Sequence, residues 1–281
     1  MKRLRHYDKE LAVIVSVFGS SEASAMKQYI QVKDAIKSKL SDEIEVRLSV
    51  SSRTIMKKLE NRGECYLTLP EQLANLDRLG YKKVVVASIN IFPTGEHEYI
   101  EQAVNAFSTI SKAKYEITMP LFARSKQTNC YLSQLNELLR ARYGDINIMF
   151  MAHGAAYLHS AGNQTFGYVR DYLRLLHSRN YLYTIEGAYG YEKDFILNEI
   201  QKENSHNESN NQLLIVPLLL VAGNHYKNDI LEMQEELREN LEQVMVPDCY
   251  SERGYFSLLM LEETIKYFVE EVEYATKKII W

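Results

Sequence analysis

Little in this sequence supports covalent cross-linking. Cysteine occurs three times in 281 residues, at Cys65, Cys130 and Cys249, far apart and with no Cys-x-x-Cys pair. So sparse and odd a set excludes a disulfide framework and points to a reducing compartment. No stretch approaches the roughly 18 consecutive apolar residues of a membrane-crossing helix, so no membrane partner is expected. Basic charge is not in excess. The 33 Lys and Arg stand against 37 Asp and Glu, a net charge of −4, which argues against a general nucleic-acid binder. Neither G-x-G-x-x-G nor a Walker A loop occurs, which leaves nucleotide binding without a signature. Near the start, the charged Asp8-Lys9-Glu10 precedes an apolar run of only eight residues, 11–18, with no small-residue cleavage site. That reads as a first strand rather than an export signal, and a cytoplasmic protein is expected.

What is present is a regular alternation. Hydrophobic content of 46% and charged content of 25% are those of a soluble globular protein, and the length suits one large domain or two smaller ones. Strand-like runs fall at 11–18, 43–50, 83–92, 115–121, 147–152, 181–185, 213–225 and 243–246. The second of these alternates Ile44, Val46, Leu48 and Val50, the period of a strand. Helical patterns lie between them at 24–40, 53–62, 70–79, 96–111, 128–142, 166–178, 193–202 and 227–241, with a last one at 258–278. Ser51-Ser52 offers an N-cap, and Pro70 opens a helix that Gly80 closes. Strands alternating with helices imply βαβ units and parallel sheets.

The two halves can be superposed as sequence. VIVSVFGSS at 13–21 lies over IMFMAHGAA at 148–156, with Gly19 over Gly154. Gly95-Glu96-His97 lies over Gly223-Asn224-His225, and Pro120 over Pro247. The fold expected is therefore α/β, with two similar lobes, each a four-stranded parallel sheet flanked by helices, and a cleft between them. The lobes are expected at 1–125 and 126–257, with a C-terminal helix at 258–281. Ligands favour the carboxyl edges of such sheets.

In the second half the residues that follow the strands are unusual. His153 follows the first, Glu186 the second and His225 the third. Two imidazoles and a carboxylate suit a borderline divalent ion such as Co²⁺, Fe²⁺, Ni²⁺ or Zn²⁺ and leave coordination positions open. Acid–base work by the same imidazoles is the alternative. Gly19 and Ser20 form a turn of the kind that contacts ligands after a first strand. Glu96 and Glu98 sit where they favour a helix N-terminus, or where one of them takes protons from a ligand. Arg53, Lys57, Lys58, Arg124 and Lys126 are candidates to meet an anionic substrate, and His159 lies six residues beyond His153.

The segments VFGSSEASAMKQYI, LSVSSRTIMKKL, FPTGEHEYI, MAHGAA, YTIEGAYG and PLLLVAGNHYKND together resemble the anaerobic cobalt chelatase family, the CbiK-type sirohydrochlorin cobaltochelatases of class II chelatase fold. They run in family order through nearly the whole chain, and the last is the most specific. The resemblance implies insertion of Co²⁺ into sirohydrochlorin, with Fe²⁺ or Ni²⁺ as alternative metals and no prosthetic group. It implies that His153, Glu186 and His225 bind the metal and that His153, His225 and Glu96 are catalytic; Gly19, Ser20, Arg53 and His97 are the candidates to contact the tetrapyrrole. The family usually places two acidic residues and then Tyr after the glycine. Here the order is Glu96-His97-Glu98-Tyr99, so the proton acceptor falls on Glu96, His97 or Glu98. The partners implied are a tetrapyrrole and a divalent ion, and a homo-oligomer stays open. A non-catalytic tetrapyrrole- or metal-binding protein is the rival reading.

Overall fold

The computed structural model describes residues 6–206, 210–223, 226–248 and 255–280. The chain divides into two compact units, Met1–Leu121 with Leu261–Trp281, and Phe122–Met260. The first contains β1 (Lys9–Val17), α1 (Ala23–Lys39), β2 (Glu45–Val50), α2 (Arg53–Glu60), α3 (Leu69–Arg78), β3 (Tyr81–Ser88), α4 (Gly95–Ser108) and β4 (Lys114–Ile117). The second contains α5 (Ser125–Tyr143), β5 (Asn147–Ala155), α6 (Gly162–Leu176), β6 (Asn180–Gly187), α7 (Lys193–His206), β7 (Gln212–Leu218), α8 (Leu231–Leu237) and β8 (Gln243–Met245). Helix α9 (Glu262–Ile280) belongs to the first unit.

Each unit is built on a four-stranded parallel sheet, in the order β2-β1-β3-β4 in one and β6-β5-β7-β8 in the other. The two α/β lobes expected from the sequence are thus present, with the same strand order in each. In β1, Ala12, Val13, Ile14 and Val15 are all fully buried. Burial of consecutive residues means that both faces of the sheet are covered, as parallel sheets require. On one face Ala12, Ile14, Val84 and Val86 pack with Leu69, Leu73 and Leu76 of α3 and with Ile100 and Val104 of α4. The other face carries α1 together with α9.

Helix α9 completes the first unit rather than standing apart. Phe268, Val272, Ala275 and Ile279 recur at helical spacing and are buried, against α1, β3 and β4. Tyr267 donates from its hydroxyl to the carbonyl of Pro120 at 2.7 Å. In the second unit the helix beside α6 is α5, which precedes its sheet in the chain. Each sheet needs two helices to cover this face, and the first unit takes one of its two from the far end of the chain.

Several strands differ in length from their sequence patterns. The run 115–121 is a strand only to Ile117. Thr118 and Leu121 still donate to the carbonyls of Val86 and Asn90, but Pro120 between them has no N–H to extend a ladder. The run 213–225 leaves its sheet after Leu218. Beyond that point the carbonyls of Leu219 and Leu220 accept from Leu258 and Leu259 at 2.9 and 3.1 Å. The apolar stretch therefore satisfies its backbone against the turn Leu258–Met260 instead of a neighbouring strand. By contrast, β5 and β6 run past the expected 152 and 185, to Ala155 and Gly187, and stay paired to the end.

That last extension depends on two glycines. Gly154 and Gly187 have φ of +96° and +79°. A Cβ on Gly154 would lie 1.9 Å from the carbonyl oxygen of Glu186, and one on Gly187 would lie 1.8 Å from that of Ala155. The two backbones therefore touch where only hydrogen fits. Gly154→Ala is expected to force the strand ends apart and to destabilise the second unit by about 3 kcal/mol or more. Urea unfolding, followed by far-UV circular dichroism, measures this directly.

Candidate metal-binding edge and proton-accepting turn

The site residues of the second unit stand at the carboxyl ends of β5 and β6. His153 and Glu186 are one register step apart, since Gly154 pairs with Glu186. In a regular pleat such residues face opposite sides. The left-handed backbone at Gly154 interrupts the alternation, and His153 Nδ1 comes to 3.5 Å from Glu186 Oε1. Both side chains are about half exposed, at 42% and 51%. An imidazole nitrogen and a carboxylate oxygen at this spacing are two donors open to solvent, one borderline and one hard, which suits a first-row divalent ion.

Among the described residues no group of three or more His, Cys, Asp or Glu side chains forms a metal-holding cluster. The third expected ligand, His225, lies outside the described residues, as does Cys249. Strand β7 ends at Leu218, earlier than the sequence pattern suggested. Directly after His225 in the chain comes a π-helical turn, Tyr226–Ile230. Such turns are rare and tend to occur at functional sites, because the wider coil re-aims side chains. Tyr226 and Ile230 anchor the turn in the core, and the Tyr226 ring stacks on Tyr255 with centroids 4.6 Å apart. No periodicity in the sequence announces this turn. His159 is exposed in the loop after β5, with its ring 5.5 Å from that of Tyr157.

The candidates of the first unit separate into different environments. Gly19 has φ of +94°, and a Cβ there would lie 2.6 Å from Val50 Cγ1, so the glycine is required by packing against the end of β2. Ser20 is buried, and its hydroxyl accepts from the Glu22 amide at 3.1 Å. Arg53 is exposed at the first position of α2, which Ser52 caps by accepting from Ile55. Arg124 and Lys126 are exposed at the start of α5 in the second unit.

Glu96 and Glu98 lie in the first turn of α4, half-buried, where a carboxylate is favoured by the helix dipole. Thr94 donates its hydroxyl to Glu96 Oε2 at 3.1 Å. Between them His97 points the other way. It is buried, with Nδ1 2.8 Å from Ser88 Oγ and Nε2 3.6 Å from Glu101 Oε1. Burial holds its pKa below the usual imidazole value, against an opposing pull from Glu101 and Glu98. A neutral imidazole enclosed in this way is not presented to a ligand. Ser88, which Asn90 and Thr118 bond in turn, carried no signal in the sequence, because its contact with His97 is made only when α4 folds back onto the end of β3.

Among the described residues no helix is long and apolar enough to cross a membrane.

Comparison with known structures gives the same architecture. SirB from Bacillus subtilis with Fe³⁺ has a TM-score of 0.66 at 13% identity, with 95% of each chain covered. The sirohydrochlorin chelatase SirB from Bacillus subtilis subspecies spizizenii in complex with cobalt gives 0.62 at 12% identity, covering 96% of each chain. CbiX, the terminal enzyme for biosynthesis of siroheme in denitrifying bacteria, gives 0.54 at 12%, covering 95% of this chain and 99% of that one. At these identities the likeness is one of fold. The family assignment rests on the sequence itself, which matches the cobalt chelatase (CbiK) family model over residues 11–252. With most of its length matched, this chain belongs to the cobalt chelatase (CbiK) family of metal chelatases.

Proposed function

We propose that this chain inserts Co²⁺ into sirohydrochlorin, with His153, Glu186 and His225 binding the ion and the first turn of α4 accepting protons at Glu96. The observation that carries this reading is the His153–Glu186 pair, 3.5 Å apart at the ends of adjacent strands, in a chain of the cobalt chelatase family. Insertion exchanges one divalent ion for two pyrrole N–H protons. It therefore needs ligands that hold the ion without saturating it and a base that takes up protons. An imidazole and a carboxylate hold the metal substrate with moderate affinity and leave positions for ring nitrogens. Glu96, half-buried and hydrogen-bonded by Thr94, is the carboxylate assigned to proton uptake, and the imidazoles of His153 and His225 can take the second proton. Sirohydrochlorin carries several carboxylates, and the exposed Arg53 supplies a fork that binds one through charge-assisted hydrogen bonds.

Ligand types alone do not separate Co²⁺ from Fe²⁺ or Ni²⁺, and the SirB structures of the same fold contain Fe³⁺ in one case and cobalt in another. Cobalt is preferred here because the sequence matches the cobalt chelatase family. Competition among the three metals, with the metallated products separated by absorption, measures the preference directly.

Anaerobic protein mixed with sirohydrochlorin and Co²⁺ is expected to change the absorption spectrum faster than the spontaneous reaction does. Equal rates with and without protein would overturn the enzyme and leave a binding protein. His153→Ala, Glu186→Gln and His225→Ala are each expected to cost about 100-fold in turnover or more, above the range usual for loss of an outer-shell partner, with circular dichroism unchanged. Calorimetric titration of His153→Ala with Co²⁺ is expected to show weaker binding than wild type. Glu96→Gln is expected to lower kcat by about 100-fold while KM holds, the signature of a lost proton acceptor. If Glu98→Gln produces that loss instead, the role belongs to Glu98.

A further inference from the structure

Beneath the proton-accepting turn lies a polar cluster that proton transfer itself does not use. Its centre is Ser88 Oγ, on the last residue of β3, which is fully buried. Asn90 Nδ2 donates to this oxygen at 2.9 Å, and His97 Nδ1 lies 2.8 Å from it. The Ser88 amide donates to Thr118 Oγ1 at 2.9 Å. The cluster thus joins the end of β3, the turn beyond it, the segment after β4 and the first turn of α4.

Hydrogen-bond counting sets the direction of each contact. A serine hydroxyl has one proton to donate. Its oxygen already accepts from Asn90, and buried hydroxyls find acceptors. The acceptor within reach is His97 Nδ1, so the proton of the imidazole sits on Nε2, on the side where the Glu101 carboxylate stands 3.6 Å away. In this tautomer Nδ1 accepts from Ser88 and the Nε2 proton faces the Glu101 carboxylate. With 4% exposure, His97 has no surface to offer a macrocycle.

At the start of α4 the His97 and Glu98 amides donate to the carbonyl of Thr94. Thr94, the N-cap, makes no side-chain capping bond, and its hydroxyl goes to Glu96 instead. The first helical residue is Gly95, which adds backbone freedom rather than removing it. Glu96 and Glu98 flank His97 in the chain, so the bond that fixes His97 also fixes where both carboxylates emerge.

We infer that His97 is a positioning residue: through Ser88 Oγ it clamps the first turn of α4 to the end of β3 and so holds the carboxylates of Glu96 and Glu98 in place for proton transfer. This rests on the proposed chelatase reading for what the carboxylates do, but not for the clamp itself. It also replaces the sequence-based expectation that His97 contacts the tetrapyrrole.

The test uses the chemistry of the accepting atom. Asn carries its amide oxygen about as far from Cα as His carries Nδ1, so His97→Asn keeps an acceptor for Ser88. Gln carries its oxygen one bond further out, so His97→Gln loses that acceptor. In the full-length protein, His97→Gln is expected to lower kcat by about 10- to 100-fold, the scale of a misplaced catalytic group. KM for sirohydrochlorin and Co²⁺ should stay within about twofold, since substrate binding is untouched. His97→Asn is expected to recover most of the loss. Ser88→Ala, which removes the bond from the other side, is expected to match His97→Gln, and the double variant to be no slower than either, as for two halves of one interaction. If His97→Gln does not fold, Ser88→Ala carries the test alone.

Amide hydrogen exchange provides a readout independent of turnover. Exchange of the Glu98 and Tyr99 amides is expected to rise about tenfold or more in His97→Gln and Ser88→Ala, as expected for local opening, and to stay near wild type in His97→Asn. A raised KM at unchanged kcat would overturn the inference and return His97 to substrate binding. So would equal kcat losses in the Asn and Gln variants, or unaltered exchange in His97→Gln and Ser88→Ala. If the wild-type protein shows no turnover, the chelatase reading fails, and exchange still decides whether the clamp exists.

Discussion

At the ends of β5 and β6 two backbones come within a distance that no side chain tolerates. Gly154 faces the Glu186 carbonyl, and Gly187 faces that of Ala155. Because both glycines take up left-handed φ values, the strands stay paired to their last residues while the pleat is broken. The consequence is chemical. His153 and Glu186, which a regular strand pair would send to opposite faces, meet at 3.5 Å on the open edge of the sheet. A parallel sheet buries its strands on both faces and leaves only their ends for function. Here the ends are shaped by the absence of a Cβ at two positions, and the meeting of His153 with Glu186 depends on that absence.

The two sheets share a strand order yet use their ends differently. In the second unit the imidazole of His153 is half exposed beside a carboxylate. In the first, the imidazole of His97 is buried on Ser88, and the carboxylates on either side of it are the groups that reach outward. One framework thus supports a histidine as a candidate ligand in one copy and as an internal strut in the other. Which role it takes is decided by the turn around it. His153 lies near the end of β5, just before a glycine with φ of +96°, whereas His97 sits inside a helical turn that brings its side chain back onto β3.

Helix α9 shows how covering requirements override chain order. The face of the first sheet next to α1 stays incomplete until residues 262–280 return to it, whereas the second unit has α5 ready before its first strand. The buried spacing of Phe268, Val272, Ala275 and Ile279 is an amphipathic pattern visible in the sequence, but the pattern says only that one face is covered, not by which sheet.

The alternation of apolar runs with helical periods was enough to specify parallel α/β architecture, because burial on both faces demands continuous Val, Leu and Ile and because parallel strands demand a crossover between them. The family was indicated by resemblance across six segments, PLLLVAGNHYKND the most specific of them, and not by the residue types at the strand ends, which fit metal binding and acid–base work alike. Pattern alone could not reveal where β7 stops, since Leu219 and Leu220 are as apolar as the residues before them, and their release depends on carbonyl partners at Leu258 and Leu259. Nor could it tell a ligand-facing His97 from a buried one. In either case His97 stands between Glu96 and Glu98, and the difference lies in the contact with Ser88, made only when the first turn of α4 folds back onto the end of β3. The sequence by itself determined the elements and the inventory of reactive groups, which are local properties of the chain. Tertiary structure alone decided which of those groups meet solvent and which meet each other, because that depends on contacts between residues far apart in the chain.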